Sequence, residues 1–263
     1  MKRTLIEKIP FILPKDLEKL ITGAPVYDSS CSPEARVYFI DKDGGYYLKK
    51  GKHCALETEA ALTDYFHKKG LGPDVIFYRM CDGGVDWLLT TRVAGEDCTH
   101  PDYLVRPKRL AALIGESLRA LHETDFSDCP WPYHTELYLH RAEKNYLSGN
   151  YDKSAFPDSF GYKNADEAWQ VLCEGKHLLK SEVLLHGDYC LPNIILDSWK
   201  LSGFIDLGNG GVGDRHVDLF WGAWTLGFNL GTDKYRDVFF DAYGRDKIIP
   251  EKLKVVAAAE VFG

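Results

Sequence analysis

Residues 184 to 197 read LLHGDYCLPNIILD, and residues 203 to 211 read GFIDLGNGG. Within these two runs stand a histidine, His186, two carboxylates, Asp188 and Asp206, and a carboxamide, Asn193. Phosphoryl transfer is the chemistry that needs this set. Its transition state is loose, so a protein mostly positions groups and neutralises charge: one carboxylate orients an acceptor hydroxyl, while a carboxamide and a second carboxylate hold Mg²⁺ on the phosphates. Asp188, Asn193 and Asp206 fit those roles in order. His186 reads as a neutral imidazole that buttresses the loop. Hydrolysis at a metal held by His186, Asp188 and Asp206 is disfavoured, because no second histidine or cysteine follows at ligand spacing. Each residue alone is ordinary turn or cap chemistry; the ordered set carries the reading.

Short strand-like runs at 183–185, 194–197 and 201–205 frame this loop, the setting in which catalytic groups are usually mounted. Upstream, β-branched and aromatic runs at 35–40 and 46–50 bracket a D-G-G turn and predict a hairpin. Residues 55–69 carry apolar side chains on one helical face up to Gly70, and strand-like runs follow at 75–80 and 87–93. Beyond residue 105 the pattern is mainly helical, with helices expected at 107–122, 133–147, 164–179, 217–230, 233–243 and 250–262.

The runs HGDYCLPNIILD and GFIDLGNGGVGDRHVDLF resemble the antibiotic-phosphorylating kinases, and most closely the aminoglycoside 3'-phosphotransferases, which carry H-G-D-x-x-x-x-N and then I-D-x-G-R-x-G-x-A-D-R-x-x-D-L. The stretches SPEARVYFI, LHETDFSDCPW and AEVF extend the resemblance over nearly the whole chain. It implies an α+β, protein-kinase-like two-lobed fold, with an antiparallel N-lobe sheet holding one helix and a mainly helical C-lobe. The expected lobes are 1–94, nucleotide-binding, and 95–263, catalytic and substrate-binding, with a hinge at about 90–95. The implied reaction moves the γ-phosphate of ATP or GTP to an aminoglycoside hydroxyl with Mg²⁺, giving antibiotic resistance.

The resemblance also directs attention to the first lobe, where such kinases pair a strand lysine with the α and β phosphates and hold it by a helix glutamate. Lys49 and Glu59 match those places, with Lys50, Lys52 and Glu57 as competitors. Tyr47 shares a strand face with Lys49 and is the candidate for stacking on the purine. Ser32 could reach a phosphate oxygen or simply form a turn before Pro33. Thr91 to Val93 reads as the hinge that meets the purine edge, and leaves ATP and GTP undistinguished.

Aminoglycosides are polycations, so the acceptor side should be acidic. Asp188, Asp158 with neighbouring Asp152, and Glu260 in the AEVFG ending are the candidates. Two positions depart from the family: Asn209 replaces the arginine after I-D-x-G, and Gly213 replaces the alanine before D-R. A third departure is Gly263 after Phe262, where relatives commonly finish on the aromatic. A kinase of a choline-like, sugar-like or macrolide alcohol is the alternative, and an inactive nucleotide-binding relative a more distant one.

The formal net charge of −7 suits a small cationic acceptor and argues against nucleic acid. The seven cysteines are scattered without a C-x-x-C pair, as expected of plain thiols in a reducing compartment. Pro10, Pro14 and charges interrupt any export signal, and no run is long and apolar enough to span a membrane. A cytoplasmic enzyme with no membrane partner is expected.

Overall fold

The computed structural model describes residues 3–30, 36–81 and 84–263. The chain divides into two compact units, Met1–Asp97 with Ile194–Asn209, and Cys98–Asn193 with Gly210–Gly263.

The first unit begins with β1 (Thr4–Ile6), α1 (Lys15–Ile21), β2 (Val26–Asp28), β3 (Arg36–Ile40) and β4 (Tyr46–Lys52). Helix α2 (Glu57–Lys68) and strands β5 (Val75–Cys81) and β6 (Val85–Thr91) follow. These strands form one antiparallel sheet in the order β1-β2-β3-β4-β6-β5. The D-G-G turn joins β3 to β4 with Asp43, Gly44 and Gly45 all at positive φ, the backbone a tight hairpin demands. Strand alternation then sorts β4. Leu48 packs with Leu17, Ile21, Trp87 and Leu89 on the α1 side. Lys49 pairs in register with Leu88, which packs on Leu56 and Ala60 of the α2 side.

The chain continues through β7 (Glu96–Asp97) into the second unit, with α3 (Pro101–Leu104), α4 (Pro107–His122), α5 (His134–Ser148), α6 (Ala165–Gly175) and β8 (Val183–Leu185). In α4 Pro107 opens the helix, where its missing N–H costs nothing, and Leu110, Ile114, Leu118 and Leu121 bury one face. Strands β9 (Ile194–Asp197) and β10 (Lys200–Phe204) then return to the first unit and form a small sheet, β10-β9-β7. Strand β11 (Gly211–Gly213) pairs with β8, and α7 (His216–Leu230), α8 (Arg236–Tyr243) and α9 (Pro250–Glu260) complete the second unit. Its core joins Tyr138 and Ala142 of α5, Leu172 of α6, Val217 of α7, and Val255, Val256 and Phe262 at the end of the chain.

Differences from the sequence reading fall at short elements and at helix ends. A second helix, α1, precedes the hairpin, and the strand expected at 87–93 runs from Val85 to Thr91. The helix expected at 164–179 stops at Gly175 and tightens to a 3₁₀ turn over Lys176–Leu178, and α8 is preceded by a 3₁₀ turn over Asp233–Tyr235. Among the described residues no helix is long and apolar enough to cross a membrane.

Candidate active site

In the second unit, the loop after β8 is built on Asp218 of α7. Its buried carboxylate accepts the amides of His186 and Gly187, each at 2.8 Å, and faces Nε2 of buried His122 at 3.1 Å. Burial alone would push the Asp218 carboxyl up, but the hydrogen bonds it accepts from His122 and from the loop amides overcome it and hold the group below its ordinary value. Burial keeps His122 neutral by lowering its pKa. Its other ring nitrogen lies 2.9 Å from the Tyr243 hydroxyl.

On that base the loop folds back on itself. His186, fully buried, accepts the Asp188 amide at Nδ1 (3.2 Å), the buttressing role read from the sequence. The Asn193 side-chain nitrogen donates to the Asp188 backbone carbonyl at 3.0 Å and to its carboxylate at 2.9 Å. One amide thus fixes the rotamer of Asp188 and leaves the Asn193 carbonyl oxygen as a hard donor. Cys190, inside the same loop, is a free thiol. Burial, reinforced by the charge of Asp188, pushes its pKa up and favours the thiol over the thiolate.

Glu260 at the end of α9 belongs to the same unit. It accepts the Tyr138 hydroxyl at 2.8 Å. Burial pushes the Glu260 carboxyl above its ordinary value, opposed by the bond from Tyr138, by Arg141 and by the Trp221 indole, while the negative charge of Asp188 adds to the rise. Asp188 and Glu260 are therefore within electrostatic reach of one another. Asp158 is different. It sits on an exposed loop with its amide bonded to Ala155, and among the described residues no hydrogen bond or ion pair joins its carboxylate to either group. Asp152 caps the turn at Ser154.

In the first unit the competition among lysines and glutamates resolves by geometry. Lys49 Nζ lies 3.0 and 2.8 Å from the two oxygens of Glu59 and 2.7 Å from Asp206. Lys50 points to the opposite face, over the Phe11 ring at 4.4 Å. Burial works against the Lys49 ammonium, but the charges of Glu59 and Asp206 outweigh it and keep the group charged. Asp206 itself has a φ of 61°, in the left-handed region, which Asp and Asn enter more readily than other non-glycine residues.

Beside this cluster lies a cavity of about 360 Å³ lined by Tyr47, Val93, Gly95, Ile195 and Ile205. Tyr47 and Val93 were anticipated. Arg3 was not: it donates to the Tyr47 hydroxyl at 2.7 Å and lies over the Phe39 ring at 3.5 Å, and neither its position nor that of Ile195 follows from any local pattern. Thr91 is committed within the sheet, its amide to the Asp74 carbonyl and its hydroxyl accepting the Asp74 amide, both at 2.9 Å. Ser32 lies outside the described residues. Asp218, Tyr138 and Arg3 are the functional neighbours that the sequence reading missed. Asp218 stands in the D-R-x-x-D-L run and could have been singled out there.

These two clusters supply, each within one unit, a charged lysine held by a glutamate and an orienting carboxylate clamped by an asparagine. That is the equipment of a phosphotransferase. Residues 33–255 match the model of the phosphotransferase enzyme family. The chain is 52% identical over 261 residues to "Probable aminoglycoside 3'-phosphotransferase" of Lactococcus lactis subsp. lactis (strain IL1403), covering 99% of this chain and 97% of that one. It is 33% identical over 187 residues to the aminoglycoside 3'-phosphotransferase of Niallia circulans, with 71% of each covered. Among solved structures, a type VIII aminoglycoside-3'-phosphotransferase has the same fold, with a TM-score of 0.77 at 22% identity over 94% of this chain and 97% of that one. An aminoglycoside phosphotransferase from Streptomyces rimosus, in complex with ADP and streptomycin, aligns with a TM-score of 0.69 at 24% identity over 87% and 91%. The chain belongs to the phosphotransferase enzyme family and is a small-molecule kinase of its aminoglycoside 3'-phosphotransferase branch, with the protein-kinase-like fold.

Proposed function

We propose that this kinase transfers the γ-phosphate of ATP or GTP to the 3'-hydroxyl of an aminoglycoside antibiotic, in the cytoplasm, and so confers resistance. The observation that carries this reading is the bond between Asn193 and Asp188 on a loop anchored by buried Asp218. A carboxylate held in one rotamer can orient an acceptor hydroxyl and take up its proton as the phosphoryl group arrives.

The other residues divide the remaining work. Lys49, kept charged by Glu59, neutralises the α and β phosphates. Tyr47 stacks on the purine, and the backbone from Thr91 to Val93 meets its edge, with residues 1–94 as the nucleotide lobe and 95–263 as the catalytic and acceptor lobe. Ser32 is assigned to a phosphate oxygen on sequence grounds alone. Asp188, Asp158 and Glu260 give the acceptor side the negative charge that a polyamine requires.

The donor set of Asn193 and Asp206, one carboxamide oxygen and one carboxylate, suits a hard divalent cation that keeps waters and phosphate oxygens as its other ligands. When bound there, Mg²⁺ would neutralise the charge of the phosphates. Asp206, which holds Lys49 in this structure, would be the carboxylate that meets such a cation, and its charge would then be shared between the two.

The test is a coupled-kinase panel with ATP and GTP against kanamycin, other aminoglycosides, and neutral or choline-like alcohols. Product with the aminoglycosides, identified as the 3'-phosphate, supports the reading. Turnover of an uncharged alcohol alone preserves the kinase and discards the antibiotic, an outcome to which Asn209, in place of the family's arginine, lends interest.

A further inference from the structure

Helix α2 has no cap of its own. Its N-cap residue is Leu56, whose side chain cannot accept a hydrogen bond, and its third residue is Glu59. In a capping box the acid at that third position reaches back to the N-cap amide and satisfies it. Here both Glu59 oxygens face the Lys49 ammonium, at 3.0 and 2.8 Å, and the Leu56 amide turns elsewhere. It donates to Oδ2 of Asp86 on β6, at 3.1 Å.

Asp86 is fully buried, and its other oxygen, Oδ1, accepts the Cys54 amide, also at 3.1 Å. Residues 53–56, which join β4 to α2, therefore wrap around one carboxylate, with Cys54 at a φ of 61° within the turn. Asp86 also stands in register with Gly51 of β4. It is thus set against both the strand that carries Lys49 and the turn that leads to Glu59. Burying a carboxylate is costly unless its oxygens are bonded, and the two amides meet that need. All of these residues belong to the first unit.

We propose that Asp86 is a positioning residue of the nucleotide site: by taking over the cap of α2 it keeps Glu59 on Lys49, and so keeps the lysine aimed at the donor's phosphates. Without Asp86, Glu59 stands at the position from which a helix acid caps its own N-terminus, and it would leave the lysine to do so. This rests on the nucleotide reading of Lys49 and Glu59 above and names what holds that pair together.

The experiment measures, by calorimetry on the full chain, Kd for ATP and GTP with Mg²⁺ and for adenosine and guanosine, which carry no phosphate. The proteins are wild type, Asp86→Ala, Glu59→Gln and the double variant. Asp86→Ala should weaken the triphosphate about 5- to 10-fold, part of the worth of one charge-assisted contact, and leave the nucleoside unchanged. In the Glu59→Gln background the same substitution should change triphosphate affinity by less than about 2-fold, because the acid it sets loose is already gone, while the melting temperature falls in both backgrounds. An equal loss for triphosphate and nucleoside, or an equal step in both backgrounds, would overturn the role and leave Asp86 as a support of the fold alone. If the alanine variant does not fold, Asp86→Asn, which keeps one acceptor oxygen, carries the same comparison. A Glu59→Gln protein that binds the triphosphate as tightly as wild type marks the other failure: it removes the assignment of Lys49 and Glu59, and the role of Asp86 with it.

Discussion

Asn193 reaches the Asp188 carboxylate at 2.9 Å with the same nitrogen that holds the Asp188 carbonyl at 3.0 Å. The asparagine therefore acts on both ends of Asp188, the proposed catalytic residue. Asp188→Ala is expected to lower kcat by at least about 10²-fold with nucleotide affinity nearly unchanged, the loss of an orienting base. Asn193→Ala should lower kcat and also weaken the Mg²⁺ dependence of nucleotide binding. Calorimetry with and without Mg²⁺ tells the two roles apart, and near-native turnover in a folded Asp188→Ala enzyme would sink the assignment.

Asp218 offers a test of positioning rather than contact. Asp218→Asn keeps the side chain's shape but turns an N–H₂ toward one of the amides that the carboxylate now accepts. An unmet or opposed buried donor costs roughly 1 to 3 kcal/mol. The melting temperature should fall by several degrees, and kcat should fall about 10-fold or more while both KM values hold. A variant with lower melting temperature but full kcat would confine Asp218 to stability.

The pH dependence of acceptor binding follows from Glu260. Its carboxyl is held above the ordinary value of 4.5 by burial, and a cationic drug selects the ionised form. KM for kanamycin should therefore fall as pH rises through that raised value and level off above it, with Glu260→Gln showing a several-fold higher KM and no such limb. Folding stability runs the other way. A carboxyl raised by burial contributes fully below about 4.5 and loses that contribution as pH rises through its folded value. Melting curves of wild type and Glu260→Gln across this window check the sign.

Gly95 adopts a φ of 108°, and a Cβ there would lie 2.2 Å from the Leu196 carbonyl oxygen. Both the backbone conformation and the close approach exclude a side chain. Gly95→Ala should cost roughly 2 to 4 kcal/mol, read as a lower midpoint in urea. An unchanged midpoint would mean that the β7–β9 contact is not as tight as it stands.

The sequence showed the chemistry of this protein more clearly than its scaffold. His186, Asp188 and Asn193 stood out as one loop, and the structure holds them together through the Asp188 amide on His186 and the Asn193 side chain on Asp188; α4 was legible because Leu110, Ile114, Leu118 and Leu121 repeat at helical spacing. The three-residue strands β1, β2 and β11 give too short a run for alternation to show, and in α1 only Leu17 and Ile21 are buried. Arg3 and Ile195 reach the Tyr47 cavity through the sheet order, which no local pattern encodes. Tyr138 on Glu260 spans more than a hundred residues and follows from helix packing alone.

The division of the chain between Asn193 and Ile194 bears on how the gene tolerates being cut. A product ending at residue 97 would hold the entire six-stranded sheet, yet Glu96 and Asp97 would have lost the β9 partner that pairs with them, and Lys49 would have lost Asp206. A nonsense allele of that length should therefore yield an insoluble or quickly degraded peptide and not a spare nucleotide-binding module. Two-plasmid complementation should succeed only when the break falls where it leaves residues 194–209 able to rejoin the first ninety-seven.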